Sequence, residues 1–238
     1  EKGYAYELDG DVYFEVDKYS DYGILSGKKI DELVAGYRVE PNPEKRNPLD
    51  FSLWKKAKEG EICWDSPWGK GRPGWHIECS TMSMKYLGEE FDIHAGAEDL
   101  IFPHHENEIA QSRCATGKKF ANYWIHIGFL RIGKEKMSKS LGNIYTAREI
   151  LDEFSPEAVR LFFMQKHYKS PIEFSKQVLN DVENAVQRIK RCYFKLKETI
   201  DEYVGYSEEN DNNLVEDIKE QIITAMNDDF NSVVAISK

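Results

Sequence analysis

Cysteine is scarce in this sequence. Its four cysteines, Cys63, Cys79, Cys114 and Cys192, include no CxxC pair. That excludes a disulfide framework and makes a reducing, cytosolic setting the expectation. Long hydrophobic runs are lacking as well: no apolar stretch reaches the length of a membrane span. The opening residues EKGYAYELDG carry no charged-then-apolar signal pattern. They also lack an initiator methionine, so the natural start is expected to lie upstream. Positive charge is outweighed, with a formal net charge of −10, which argues against wholesale nucleic-acid binding. Two local basic patches remain, Arg131–Lys139 and Arg188–Lys197, and each reads equally well as a solvated face. No internal repeat is visible. What is present is 238 residues with 41% hydrophobic and 13% aromatic content, enough for a packed core in one large domain or two smaller ones.

Short β-prone pieces (DVYFEV, GYRVE) separated by turn residues run to PNPEKRNPLD, so the first 50 residues read as a small β-rich module followed by a loop. SPWGKGRPGWHIEC is glycine- and proline-rich, and CSTMSMKYLG after it reads as a helix closed by Gly88. The pattern then alternates. FDIHAG is strand-like, PHHENEIAQSRCATG helix-like with Gly117 at its end, YWIHIGFLRI strand-like and TAREILDEF helix-like. Alternating strands and helices predict a parallel α/β sheet with ligands at the C-terminal strand ends. Beyond residue 150 the chain turns helical, with Ser155 and Pro156 opening one helix and a longer one beginning near Ser175. Val178, Val182, Ala185, Ile189, Cys192 and Leu196 predict a buried seam along it. GYSEENDNN reads as a polar linker before a final helix pair.

Two stretches carry chemistry. In FPHHENEIAQ, residues 102–111, Pro103 suits the first helical position. His104 and Glu108, four apart, then share a face and offer two adjacent ligands for a metal such as zinc. A capping and solvation pattern at a positive helix end is the plain alternative. Cys79 taken alone reads as a small buried hydrophobe. In EKMSKSLGN, residues 135–143, Lys136 and Lys139 flank a serine-containing loop that suits polyphosphate.

Lys136-Met137-Ser138-Lys139-Ser140 resembles the KMSKS signature of class I aminoacyl-tRNA synthetases. Together with GRPGWHIECS (71–80), DLIFPHHENEIAQS (99–112), KRNPLDFSLWK (45–55), SPWG (66–69) and a helical HYKSPIEFS (167–175), it resembles the cysteinyl-tRNA synthetase family over nearly the whole chain.

That resemblance implies an α/β protein: the second half of a Rossmann-like nucleotide-binding fold with a β-rich insertion and a C-terminal helical bundle. The connective insertion would occupy residues 1–55, the second half of the catalytic domain 56–150, a stem-contact junction 151–176, and the start of the helical anticodon-side domain 177–238. It implies zinc held by Cys79, His104 and Glu108, binding the substrate thiol, with Trp75 beneath the cysteine. It also implies ATP with Mg2+ at Lys136 and Lys139, with adenosine contacts at Gly96 and Asp99, and tRNA(Cys) as acceptor. The intact protein would be a cytoplasmic monomer with no membrane contact. The family's HIGH signature and a fourth zinc ligand upstream of it are absent from this sequence, so the chain alone is expected to be inactive. Alanines 95 and 97 stand where the family has glycines. A cysteine:amino-sugar ligase, or a zinc- and RNA-binding module without catalysis, remains an alternative at this stage.

Overall fold

The computed structural model describes residues 1–29, 43–133, 135–136, 144–202 and 212–237. Two compact units divide the chain, Glu1–His126 and Ile127–Lys238.

The first unit opens with a hairpin of β1 (Ala5–Leu8) and β2 (Asp11–Phe14). Asp9 and Gly10 form its two-residue turn, both at positive φ (49° and 84°), the conformation that suits an Asp-Gly hairpin. Strands β3 (Phe51–Lys56) and β4 (Gly71–Pro73) extend it into a four-stranded antiparallel sheet in the order β1-β2-β3-β4. The β-rich module therefore runs beyond residue 50, where the sequence pattern ended it. Asp50 is the reason: fully buried, it accepts hydrogen bonds from Tyr6 Oη (2.7 Å), Val16 N (2.9 Å) and Asn47 N (3.0 Å) and folds the NPLD turn back onto the hairpin. Phe14, Val16, Tyr22, Leu49, Phe51 and Ala110 form the core beneath. The GYRVE segment lies outside the described residues.

Helix α1 spans Trp75–Leu87, starting four residues before the CSTM segment that suggested it. Gly74 makes this start possible: a Cβ there would lie 1.9 Å from Ser52 O, and its N–H bonds Leu53 O at 2.9 Å. Strand β5 (Glu90–Ala97) follows, then a short 3-10 turn (Glu98–Leu100) and an irregular turn, Ile101–His105, before helix α2 (Glu106–Thr116). Pro103 thus precedes the regular helix and does not open it. Phe102 is extended (φ −136°, ψ 133°) because a residue before proline is disfavoured in the helical region. Strand β6 (Phe120–Ile127) pairs with β5, and Phe91, Phe120 and Ala121 pack between them and their surroundings.

In the second unit the expected strand-like run to Ile132 is broken. Strand β7 (Leu130–Ile132) is separate from β6, with the Gly128 N–H bonded to Tyr168 O at 2.9 Å. Strand β7 pairs antiparallel with β8 (Glu135–Lys136) and parallel with β9 (Ile172–Glu173). HYKSPIEFS is accordingly not helical; it turns into β9, because Pro171 favours an extended approach and the Ile172 N–H bonds Phe129 O at 2.9 Å.

Helices α3 (Ala147–Glu153), α4 (Pro156–Met164) and α5 (Lys176–Glu202) pack around Ile150, Phe154, Phe162, Phe174 and Leu179. Helices α6 (Asn212–Asn227) and α7 (Ser232–Ala235) supply the expected final pair. Of the linker before them, residues 205–211 lie outside the described residues, and Asn212 and Asn213 already belong to α6. The predicted seam along α5 is buried only in part: of its members Val182 is buried and Ala185 half-buried. Leu179, Val182 and Val186 are buried, whereas Val178, Ile189 and Leu196 are 37%, 62% and 57% exposed and Cys192 is exposed. The buried face is the one turned to α4, which has nine residues against 27 in α5 and so covers only its first turns.

Ser155 links these two helices. Its Oγ accepts from Ala158 N (3.3 Å) as the cap of α4 and donates to Glu183 Oε2 (2.8 Å) on α5. Ser155→Ala is expected to lower stability by about 1 kcal/mol, the usual scale of a lost cap, read as a lower urea midpoint. An unchanged midpoint would show that the cap contributes nothing.

Candidate metal centre

Three elements of the first unit meet at one point. Cys79 stands on α1 one turn after Trp75, so both project from the same face. Gln111 Nε2 donates to Ser80 Oγ at 2.6 Å and fixes α2 beside α1. His104 comes from the irregular turn and Glu108 from the first turn of α2. The Cys79 sulfur, a His104 ring nitrogen and a Glu108 carboxylate oxygen lie within 4.8 Å of one another. His104 and Glu108 are buried, and Cys79 is half-buried. The three residues that the sequence pattern offered as ligands are thus brought together.

Their orientations are fixed by neighbours. His76 Nδ1 and His104 Nδ1 are 2.8 Å apart and share a proton-mediated contact, which leaves His104 Nε2 facing Glu108 at 3.5 Å. Trp75, 55% exposed, stacks on the His104 ring with centroids 4.3 Å apart. His94 Nε2 lies 3.0 Å from Glu108 Oε2. Glu108 Oε1 is buried and has no hydrogen-bond partner. A fully buried carboxylate oxygen without a partner is costly unless a cation meets it. Sulfur, imidazole and carboxylate together are a donor set that zinc accepts, and three protein ligands leave a position for a substrate atom. The residues therefore fit a zinc ion.

His94, His105 and Glu108 form a second convergent set that shares the same carboxylate. His105 Nδ1 meets His126 Nε2 at 2.8 Å. His76, His94 and His126 also belong to this centre, and no local sequence pattern marks them. One signal was available: five of the six histidines fall between residues 76 and 126. Their spacing follows no single helix or strand, so only the fold unites them.

Burial favours the neutral form of His76, His104, His105 and His126. His76 and His105 are each pushed down to about 3, chiefly by burial, with His104 adding to the effect on His76 and His94 to that on His105. Burial also lowers His104, against the pull of Glu108, and raises the Cys79 thiol, with Glu108 adding to the rise. In the metal-free protein the unfolded chain takes up protons at His76 and His105 below their ordinary 6.5 while the folded protein does not until about 3. Stability from these rings is therefore complete above about pH 6.5 and is lost as pH falls toward 3. The urea midpoint of metal-free protein is expected to drop already between pH 7 and 5, before carboxylates titrate. A level midpoint across that interval would contradict the assignment.

The family model described as tRNA synthetases class I (C) catalytic domain matches residues 1–184. The chain belongs to this family. A cysteine–tRNA ligase from Caldicellulosiruptor saccharolyticus is 56% identical over 238 residues, covering 99% of this chain and 51% of that protein. Another, from Carboxydothermus hydrogenoformans, is 54% identical over 241 residues, covering 100% of this chain and 51% of that protein. The chain spans about half the length of the curated relatives it matches. Among solved structures, the LeuRS–tRNA–LeuAMS complex of Agrobacterium radiobacter K84 aligns with a TM-score of 0.55 at 17% identity, over 74% of this chain and 28% of that one. An arginyl-tRNA synthetase from Campylobacter jejuni aligns with a TM-score of 0.51 at 15% identity, over 98% of this chain and 47% of that one. These two likenesses concern fold alone, a mixed α/β class I synthetase fold.

The other residues expected to act in this synthetase family are placed as follows. Gly96 is half-buried near the C-terminal end of β5, and Asp99 is exposed in the 3-10 turn just after it. Lys136 stands on β8 of the second unit, paired in register with Arg131. Lys139 lies outside the described residues. No described helix is long and apolar enough to cross a membrane.

Proposed function

We propose that this chain is part of a cysteine–tRNA ligase, in which ATP activates cysteine to cysteinyl adenylate and the acyl group passes to tRNA(Cys). The observation that carries this reading is the convergence of ligand atoms of Cys79, His104 and Glu108 within 4.8 Å of one another, where Glu108 also keeps a buried carboxylate oxygen, Oε1, without a hydrogen-bond partner. Family membership and cysteine–tRNA ligases at over 50% identity support it.

In this reading residues 56–150 form the second half of a Rossmann-like nucleotide-binding fold. Residues 1–55 are the connective insertion, 151–176 the stem-contact junction and 177–238 the start of the helical anticodon-side domain. Zinc on Cys79, His104 and Glu108 would stabilise a thiolate far better than an alcohol, which supplies the selectivity between cysteine and serine that an apolar site cannot. Trp75 stacks on His104 and offers its open face to the substrate. The cysteine carboxylate attacks the α-phosphate of Mg2+-bound ATP and pyrophosphate leaves. Lys136 and Lys139 bear on the phosphates, with Gly96 and Asp99 at the strand end beside the adenosine. Positioning and charge stabilisation carry this step. The intact enzyme works as a cytoplasmic monomer.

The test is to supply the enzyme containing this chain with cysteine, ATP and tRNA(Cys), and to follow both pyrophosphate exchange and cysteinyl-tRNA. Cysteine-dependent exchange with transfer to tRNA is expected, and serine is expected to support neither. Exchange followed by transfer only to an amino sugar would overturn the assignment.

A further inference from the structure

Gly96 is a glycine that its own backbone does not require. It is not among the glycines at positive φ, and its neighbours Ala95 and Ala97 carry side chains on the same strand. Space, and not conformation, sets it apart. A Cβ on Gly96 would lie 2.8 Å from His105 Cε1, 3.0 Å from His105 Nε2 and 3.0 Å from Leu100 Cδ1. Real Cβ atoms essentially never approach this closely, so a neighbour must move.

The leucine methyl is the end of a flexible side chain and can turn aside. The imidazole cannot. His105 is 2% exposed. Its Nδ1 meets His126 Nε2 at 2.8 Å, its ring lies 5.0 Å from that of Trp124, and the His94 ring stands edge-on at 4.8 Å. In this position its Nε2 is 4.0 Å from Glu108 Oε2. Shifting the ring disturbs the His126 contact and changes the 4.0 Å spacing between His105 and Glu108.

We propose that Gly96 is a positioning residue of the metal centre: its missing Cβ is the space His105 occupies, and His105 seated there packs beside the Glu108 carboxylate, Nε2 4.0 Å from Oε2. This deepens the zinc reading above and rests on it. It also separates Gly96 from Ala95 and Ala97, which carry a Cβ on the same strand.

A double-mutant cycle in the whole enzyme tests the claim, with wild type, Gly96→Ala, His105→Ala and the double variant. Two quantities are read: zinc affinity by competition with a chromophoric chelator, and the urea midpoint of the metal-free protein. Gly96→Ala alone is expected to weaken zinc binding by about 10-fold or more, the scale of losing an outer partner of a ligand, and to lower the midpoint. In the His105→Ala background the same change is expected to alter zinc affinity by no more than about two-fold, the scatter within which such a cycle resolves an effect, and to leave the midpoint nearly unchanged. Equal losses in both backgrounds would overturn the proposal, because Gly96 would then act through something other than His105. If Gly96→Ala does not fold, the double variant decides: folding like His105→Ala supports the proposal, and failure to fold refutes it. A wild-type protein that binds no zinc would overturn the functional reading, while the metal-free midpoints would still test the steric one.

Discussion

Replacing Cys79 by alanine is expected to weaken zinc binding by more than about 100-fold, above the range seen when only an outer partner of a ligand is lost. The sulfur is the soft donor of the set, and its removal leaves His104 and Glu108 as the remaining ligands on this chain. Glu108 would keep a buried oxygen without a partner, so the variant is also expected to lose the stabilisation that zinc confers on the folded protein. Cysteine activation should fall with it, through a raised KM for cysteine, because the thiolate loses its anchor. Zinc titration and the cysteine dependence of pyrophosphate exchange check both effects. Zinc affinity equal to wild type would show that Cys79 is the small buried hydrophobe its isolated sequence context allows.

Lys139→Ala in the intact enzyme is expected to slow adenylate formation by about 100-fold or more, the scale of losing one preorganised donor to a developing charge. Cysteine binding should be unaffected, because the zinc ligands Cys79, His104 and Glu108 stand on α1, the turn before α2, and α2, and Lys139 is not one of them. Single-turnover measurement of adenylate formation separates the two quantities. An unchanged rate with weakened cysteine binding would show that the role of the loop is misassigned.

The sequence made some of this legible and concealed the rest for physical reasons. His104 and Glu108 could be paired because helical spacing is local, and Ser155 and Gly117 could be read as helix ends for the same reason. Cys79 could be joined to them only through the family resemblance. It sits on α1, and no periodicity links it to α2. His76, His94 and His126 were hidden because they come from three segments separate from the turn that carries His104 and His105. Gly96 was read as an adenosine contact, whereas its Cβ clash with His105 appears only when β5 and the turn before α2 are placed side by side. The later part of the seam on α5, from Ile189 onward, failed for another reason. Apolar spacing reports a face that could be buried, but coverage depends on the length of the partner, and α4 ends after nine residues. HYKSPIEFS misled in the same way: the parallel pairing of β9 with β7 is set by a strand about 40 residues earlier in the chain.

The most direct test of the central claim is the zinc K-edge X-ray absorption spectrum of the zinc-loaded enzyme, recorded with and without cysteine. The account predicts sulfur at about 2.3 Å together with nitrogen and oxygen at about 2.0–2.2 Å before cysteine is added. It predicts one further sulfur after cysteine is added, and none after serine. A first shell without protein sulfur, or a spectrum unchanged by cysteine, would contradict it.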